Sequence, residues 1–153
     1  MMETEEKYKV VIVDDERTAI DALRRELEPY REFEVKGIAG NGAKGKKMIM
    51  ELHPDLLFLD VEMPGMTGIE MADALRKIDP WVCISFVTSY DAFAIQAFRL
   101  DALDYVMKPI KYTQVKHIIE KAKIQIDYRK NAQKAEKRYL KIKSGYEDVL
   151  IDL

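Results

Sequence analysis

The sequence has one cysteine, two histidines and no run of eighteen or more apolar residues among its 153 positions, and each shortage removes a class of function. Cys83 cannot form an internal disulfide, so a reducing compartment is permitted, and its setting in Val82-Cys83-Ile84-Ser85-Phe86-Val87 reads as core packing. His53 and His117 have no neighbour at metal-ligand spacing, which argues against a zinc site. The lack of a long apolar run argues against a membrane span, and the opening Met1-Met2-Glu3-Thr4-Glu5-Glu6 does not resemble a secretory leader. A cytoplasmic protein with no membrane partner is therefore expected. What is present is a hydrophobic content of 48%, enough for the core of one domain plus a short appendage.

The net charge of -2 conceals an uneven distribution. Residues 116–138 have 8 basic and 3 acidic side chains, whereas residues 1–115 have 15 basic and 21 acidic. The body is acidic and the tail basic. Tyr128 is the only aromatic in the basic stretch, so a solvated helix face is favoured over a nucleic-acid surface.

Short apolar runs at Val10 to Val13, Val35 to Ala39, Leu56 to Leu59, Val82 to Val87 and Leu103 to Met107 have strand length. Between them Thr18 to Glu28, Gly42 to His53, Gly68 to Asp79 and Ala92 to Arg99 place apolar residues three or four apart, as helices do. Pro29, Pro54 and Pro80 each follow a helix candidate that they cannot continue. Thr67-Gly68-Ile69-Glu70 has the capping-box pattern, so Thr67 reads as structural. Alternation of this kind predicts an α/β fold with a parallel sheet covered on both faces.

A fifth helix is expected from about Thr113. Its first half has the apolar stripe Val115, Ile118, Ile119 and Ala122, whereas beyond Asp127 the pattern thins and reads as a linker leaving the core. Tyr139-Leu140-Lys141-Ile142-Lys143 then alternates with period two, Ser144-Gly145 punctuates, and Val149-Leu150-Ile151 begins another run, predicting a short β hairpin.

Four strand candidates run into polar residues: Asp14-Asp15, Asp60, Thr88 and Lys108. Parallel strands align their C-terminal ends, and open α/β sheets bind ligands at that edge, beside the point where strand order reverses. In a flavodoxin-like, doubly wound order 2-1-3-4-5, Asp14, Asp15 and Asp60 share that crevice. Each carboxylate pair at roughly 4 Å costs on the order of 4 kcal/mol at an effective dielectric near 20. Lys108 offsets one charge only, so a hard divalent cation, magnesium rather than zinc, is expected. The competing reading of Asp14-Asp15 is a helix N-cap.

Val11-Ile12-Val13-Asp14-Asp15-Glu16, Leu57-Phe58-Leu59-Asp60-Val61-Glu62-Met63-Pro64-Gly65, Thr88 and Asp104-Tyr105-Val106-Met107-Lys108-Pro109 together resemble the bacterial response-regulator receiver over about Lys7 to Ile126. The resemblance implies that Asp60 is the phosphoacceptor, served by a sensor histidine kinase. It implies Mg2+ held by Asp15, Asp60 and the Glu62 carbonyl, with Asp14 acting through water. Lys108 and Thr88 would then contact the phosphoryl group, and Tyr105 would fill the space behind Thr88 as that residue moves inward. Glu62 and Tyr90 occupy positions that tune phosphate lifetime in the family. Asp101 stands where glycine is frequent, and Ser89 where alanine is.

The run Ser89 to Phe98 followed by Ala102-Leu103-Asp104-Tyr105 resembles the receiver subgroup attached to LytTR-type DNA-binding domains, and residues 138–145 resemble the start of such a domain. The organisation expected is a receiver at 1–126, a linker helix at 127–138 and the beginning of an incomplete output domain at 139–153, so that DNA is reached only through the missing part. A homodimer through the fourth helix, fifth strand and fifth helix is also expected. The rival readings are a stand-alone receiver acting through protein contacts and an aspartate-nucleophile phosphohydrolase of the haloacid-dehalogenase kind, against which Asp60-Val61-Glu62 lacks the second aspartate.

Overall fold

The computed structural model describes residues 7–152, with side chains to 144. Residues 1–6, read above for charge, lie outside the described residues. Five strands and five helices alternate: β1 Tyr8–Val13, α1 Arg17–Leu27, β2 Phe33–Ala39, α2 Gly42–Leu52, β3 Leu56–Leu59, α3 Gly68–Ile78, β4 Cys83–Thr88, α4 Ala94–Arg99, β5 Asp104–Met107 and α5 Tyr112–Asp152. The strands form one parallel sheet of order β2-β1-β3-β4-β5, as expected.

The period-two alternation of the strands sends their apolar side chains to two cores. Val10, Ile12, Leu56 and Phe58 meet α1 through Ile20, Leu23 and Leu27, and α5 through Val115, Ile118, Ala122 and Ile126. Val11, Val13, Leu57, Leu59, Ile84 and Phe86 face Ile49 of α2, Met71 and Leu75 of α3 and Ala97 of α4. Strands covered on both faces read as continuous apolar runs, which is why they were legible. Cys83 is core, and burial pushes its thiol up to about 11, so it is not poised as a nucleophile.

Local signals act as their chemistry dictates. The Thr67 hydroxyl accepts from the Glu70 N–H at 3.1 Å, and the Glu70 carboxylate accepts from the Thr67 N–H at 3.3 Å, completing the capping box. Before Pro54, α2 closes on His53 in the left-handed region at φ 49°. Asp101 also lies there, at φ 58°, a region that glycine enters without a Cβ penalty. Its carbonyl and that of Leu100 accept from Arg76 of α3, at 3.0 and 2.7 Å, tying the turn after α4 to α3.

The C-terminal expectation is corrected. Where a hairpin was expected over 139–153, α5 continues through Asp152 as a single helix of 41 residues. The alternating Tyr139 to Lys143 segment lies on the exposed continuation of α5 and pairs with neither edge strand, β2 or β5, and a lone hairpin is marginal. Extending an existing helix forms one hydrogen bond per residue fixed, and Ser144-Gly145 does not interrupt it. The side chains of the expected second strand, Val149-Leu150-Ile151, lie outside the described residues.

Packing of α5 on the domain also outlasts Ile126. The Tyr8 hydroxyl donates to Asp127, Arg129 donates to Asp55 at 2.5 Å, and the Lys130 ammonium lies 5.1 Å from the centre of the Tyr8 ring. Asp55, at the N-terminal end of β3, also accepts from the Lys9 N–H at 2.7 Å. From residue 131 to 144 the helix is exposed throughout.

The Asp55–Arg129 pair is nearly buried, with side chains 7% and 11% exposed. Asp55→Ala leaves a buried guanidinium uncompensated and should cost about 3 kcal/mol in urea unfolding. Replacing both together, Asp55→Ala with Arg129→Met, should cost less than Asp55→Ala alone. A double variant weaker than that single one would show that the pair does not act as a unit.

Candidate functional site

The C-terminal ends of the strands position the site by continuing the ladder one residue further. The Asp14 N–H donates to Ala39 at 2.9 Å, the Asp60 N–H to Val13 at 3.0 Å and the Lys108 N–H to Thr88 at 2.8 Å. Val13 pairs with Leu59 in register, so Asp14 and Asp60 leave the sheet side by side. Gly68 at the start of α3 keeps Asp60 there: a Cβ on Gly68 would lie 2.1 Å from the Asp60 carbonyl oxygen. Helix α3 therefore closes on the Asp60 loop only because position 68 has no side chain.

Asp14, Asp15 and Asp60 each offer a carboxylate oxygen, all within 4.8 Å of one another. Asp14 and Asp60 are buried and Asp15 is exposed. The N-cap reading of the Asp pair does not hold, because α1 is capped at Glu16 and that residue's side chain makes no cap bond. Instead Asp14 accepts from the Glu16 N–H at 2.9 Å. Lys108, with a side chain 10% exposed, reaches across with its ammonium 2.9 Å from Asp14, 2.9 Å from Asp60 and 2.5 Å from Glu16.

Burial pulls the Lys108 pKa down, but hydrogen bonds to Glu16, Asp14 and Asp60 outweigh it and the net direction is upward. Asp14 moves the other way from most paired carboxylates. Its burial outweighs the bonds from Glu16 and Lys108, with Asp60 adding repulsion, and its pKa rises from 3.8 to about 6. Three acids near one ammonium leave negative charge in a dry place.

The remaining expected residues form a second group, joined through Tyr90. Its N–H donates to the buried Thr88 hydroxyl at 3.3 Å, its carbonyl accepts from the Tyr105 hydroxyl, and its own hydroxyl donates to Glu62 at 2.9 Å. The Tyr105 ring packs on Phe86 at 5.9 Å between centres. The Glu62 carboxylate is thus turned to Tyr90 and away from the Asp cluster, while its N–H points to Asp60 at 3.3 Å. A cleft of about 470 Å³ opens between the groups, lined by Asp15, Glu16, Asp60, Glu62, Ser89 and Tyr90.

Sequence reasoning missed Glu16 as a partner of Lys108 and Tyr90 as the junction of Glu62, Thr88 and Tyr105. Glu16 sits within the Asp14-Asp15-Glu16 run, but a residue 92 positions from Lys108 gives no local sign of the contact.

With this geometry established, comparison places the chain: residues 10–120 match the response regulator receiver domain, and the chain belongs to that family. Its receiver is that of a two-component system, a signalling unit. It is 38% identical over 117 residues to the sensory transduction protein LytT of Bacillus cereus, covering 76% of this chain and 48% of that protein. It is 41% identical over 103 residues to the transcriptional regulatory protein BtsR of Escherichia coli K12, covering 67% of this chain and 42% of BtsR. The chain thus spans about half the length of the curated relatives it matches. Among solved structures, the receiver domain of the response regulator AraT from Geobacillus stearothermophilus superposes with a TM-score of 0.75 at 28% identity, over 80% of this chain and 98% of that one. Receiver domains bind Mg2+ at an acidic pocket, and the Asp14, Asp15 and Asp60 cluster offers one. Among the described residues no helix is long and apolar enough to cross a membrane.

The Asp14 shift has a signed consequence. Because folding raises this pKa from 3.8 to about 6, the contribution to stability is full below the unfolded value and is lost as pH rises through 6. In protein stripped of divalent cations, Asp14→Asn should therefore be more stable than wild type at pH 7.5 by on the order of 2 kcal/mol, with the gain vanishing near pH 4. Denaturant unfolding at both pH values checks this, and an equal difference at both would contradict it.

Proposed function

We propose that the chain accepts a phosphoryl group on Asp60 from a sensor histidine kinase, in a Mg2+-dependent reaction, and passes the event on as a change of surface. The carrying observation is the Asp60 carboxylate itself. It is buried at the end of the central strand, 2.9 Å from the Lys108 ammonium and clustered with Asp14 and Asp15 beside an open cleft.

An Asp60 oxygen forms the new bond to phosphorus while the bond to the donor's imidazole nitrogen breaks, and the leaving nitrogen takes a proton. Lys108 stabilises negative charge on the phosphoryl oxygens. The donor set fits a hard cation, being all oxygen with uncompensated negative charge, and Asp14, Asp15, Asp60 and the Glu62 carbonyl would hold it. When bound, Mg2+ supplies charge neutralisation for the incoming phosphoryl group.

The added group carries roughly -1.5 to -2 charges by analogy with other protein phosphorylations. Thr88 can donate its hydroxyl hydrogen to a phosphoryl oxygen while its oxygen still accepts from Tyr90. Movement of Thr88 pulls on Tyr90, whose carbonyl holds the Tyr105 hydroxyl, so the event reaches the face formed by α4, β5 and α5. Ile95, Phe98 and Met107 are exposed there, suiting an activation-linked homodimer.

The output reading extends from the relatives. LytT and BtsR are about twice the length of the matched region, and we infer that this chain is the receiver portion of a transcriptional regulator whose LytTR-type domain would contact DNA. The exposed basic helix beyond Lys130 would lead to it. Residues 139–143, helical in this structure, would then become the first strand of that domain when the rest of it is present.

A small phosphodonor with Mg2+ should add one phosphoryl mass to the wild type and none to Asp60→Asn, read by intact mass spectrometry. Equal labelling of both would refute Asp60 as acceptor, and labelling unaffected by chelation would refute the role of Mg2+. Light scattering should show a doubled mass with beryllofluoride, and an unchanged mass would refute the dimer.

A further inference from the structure

We infer that Glu16 is a positioning residue that occupies the third hydrogen-bond donor of Lys108 until a phosphoryl oxygen takes its place. The inference rests on the proposed phosphorylation of Asp60.

A lysine ammonium has three N–H bonds and no acceptor. In this structure three carboxylates surround it: Asp14 and Asp60 at 2.9 Å each and Glu16 at 2.5 Å. The ammonium is saturated, so a phosphoryl oxygen must displace one partner before Lys108 can neutralise it.

Burial decides which one leaves. The Asp14 and Asp60 side chains are 7% and 6% exposed, and both are placed by backbone ladder bonds immediately before their side chains. Glu16 is 53% exposed, has the longer side chain, and can return its carboxylate to water at little cost. It lines the cleft that holds Asp60 and also the neighbouring 340 Å³ pocket beside Lys108, so it stands on the open side of the ammonium. Asp14 cannot rehydrate without opening the core edge, and Asp60 keeps its carboxylate charge, as the nucleophile, until transfer occurs. Glu16 is consequently the exchangeable partner.

Two effects follow from one carboxylate. In the resting protein Glu16 answers the third donor of Lys108, whose ammonium Asp14 and Asp60 already hold toward the site. It also competes with the phosphoryl group, so its removal favours the phosphorylated state.

The test uses the full chain with saturating Mg2+ and acetyl phosphate, following phosphoprotein by mass spectrometry. Glu16→Ala should raise the initial rate about two- to fivefold, the factor to which the energy of an exposed ion pair converts. Glu16→Gln should do so less, since its amide oxygen still accepts from Lys108. In a Lys108→Ala background Glu16→Ala should leave the rate unchanged. This separates competition for Lys108 from a general loss of negative charge, which would persist there. A Glu16→Ala rate equal to or below wild type, or the same gain with and without Lys108, would overturn the inference. Failure of the wild type to label at Asp60 would instead overturn the phosphoacceptor reading.

Discussion

The confrontation of three carboxylates with the single ammonium of Lys108 is the constraint on which the rest of the arrangement depends. Asp14, Glu16 and Asp60 each lie within hydrogen-bond distance of it, and Asp15 adds a fourth acid nearby. The parallel sheet is what makes the confrontation possible. Only a strand order that places β1 beside β3, with β4 and β5 following, brings acids from positions 14 and 60 under a lysine from position 108. The cost of gathering them is visible in Asp14, whose pKa rises toward neutrality although a cation is in contact with it. A fold that is otherwise apolar at both sheet faces stores unfavourable charge at one edge. That stored charge suits a hard cation, which an all-oxygen cluster can take.

The opposite edge of the sheet is arranged for permanence. There Asp55 meets Arg129, Tyr8 meets Asp127, and Lys130 covers the Tyr8 ring, so α5 is tied to β1 and β3 before it leaves the domain. One edge has acids in excess, while the other has its charges paired, with Asp55 and Arg129 nearly dry. The contrast explains how a single α/β layer arrangement can combine a responsive site with a fixed exit for its last helix.

Most of the fold was legible because the strands are covered on both faces. Val10 to Val13 and Leu56 to Leu59 are unbroken apolar runs of strand length, and the residue after each is an aspartate that cannot be placed in a core. The site corners at Asp14, Asp60 and Lys108 followed from those borders. Tertiary partnerships were not legible: Arg129 looked like part of a solvated basic face until Asp55, 74 positions away, was brought against it. The tail failed for a related reason. Period two in Tyr139 to Lys143 is a strand signal only where a partner strand pairs with it, and in this chain the helix already running into it prevails.

Tyr90 shows how the two groups of the site are made to act together. It is 44% exposed and belongs to a loop, yet its N–H, carbonyl and hydroxyl are each committed, to Thr88, Tyr105 and Glu62 respectively. Thr88 is fixed in a central strand and Tyr105 in the edge strand, so the loop can shift only if at least one of these bonds is exchanged. Glu62 is bound through its carboxylate to Tyr90 and through its N–H to Asp60. Glu62 therefore links Asp60 to the loop across the cleft, while Thr88 and Tyr105 anchor the loop to the sheet. Bonds converging on one residue in this way reinforce one another, since losing one weakens the hold of the others.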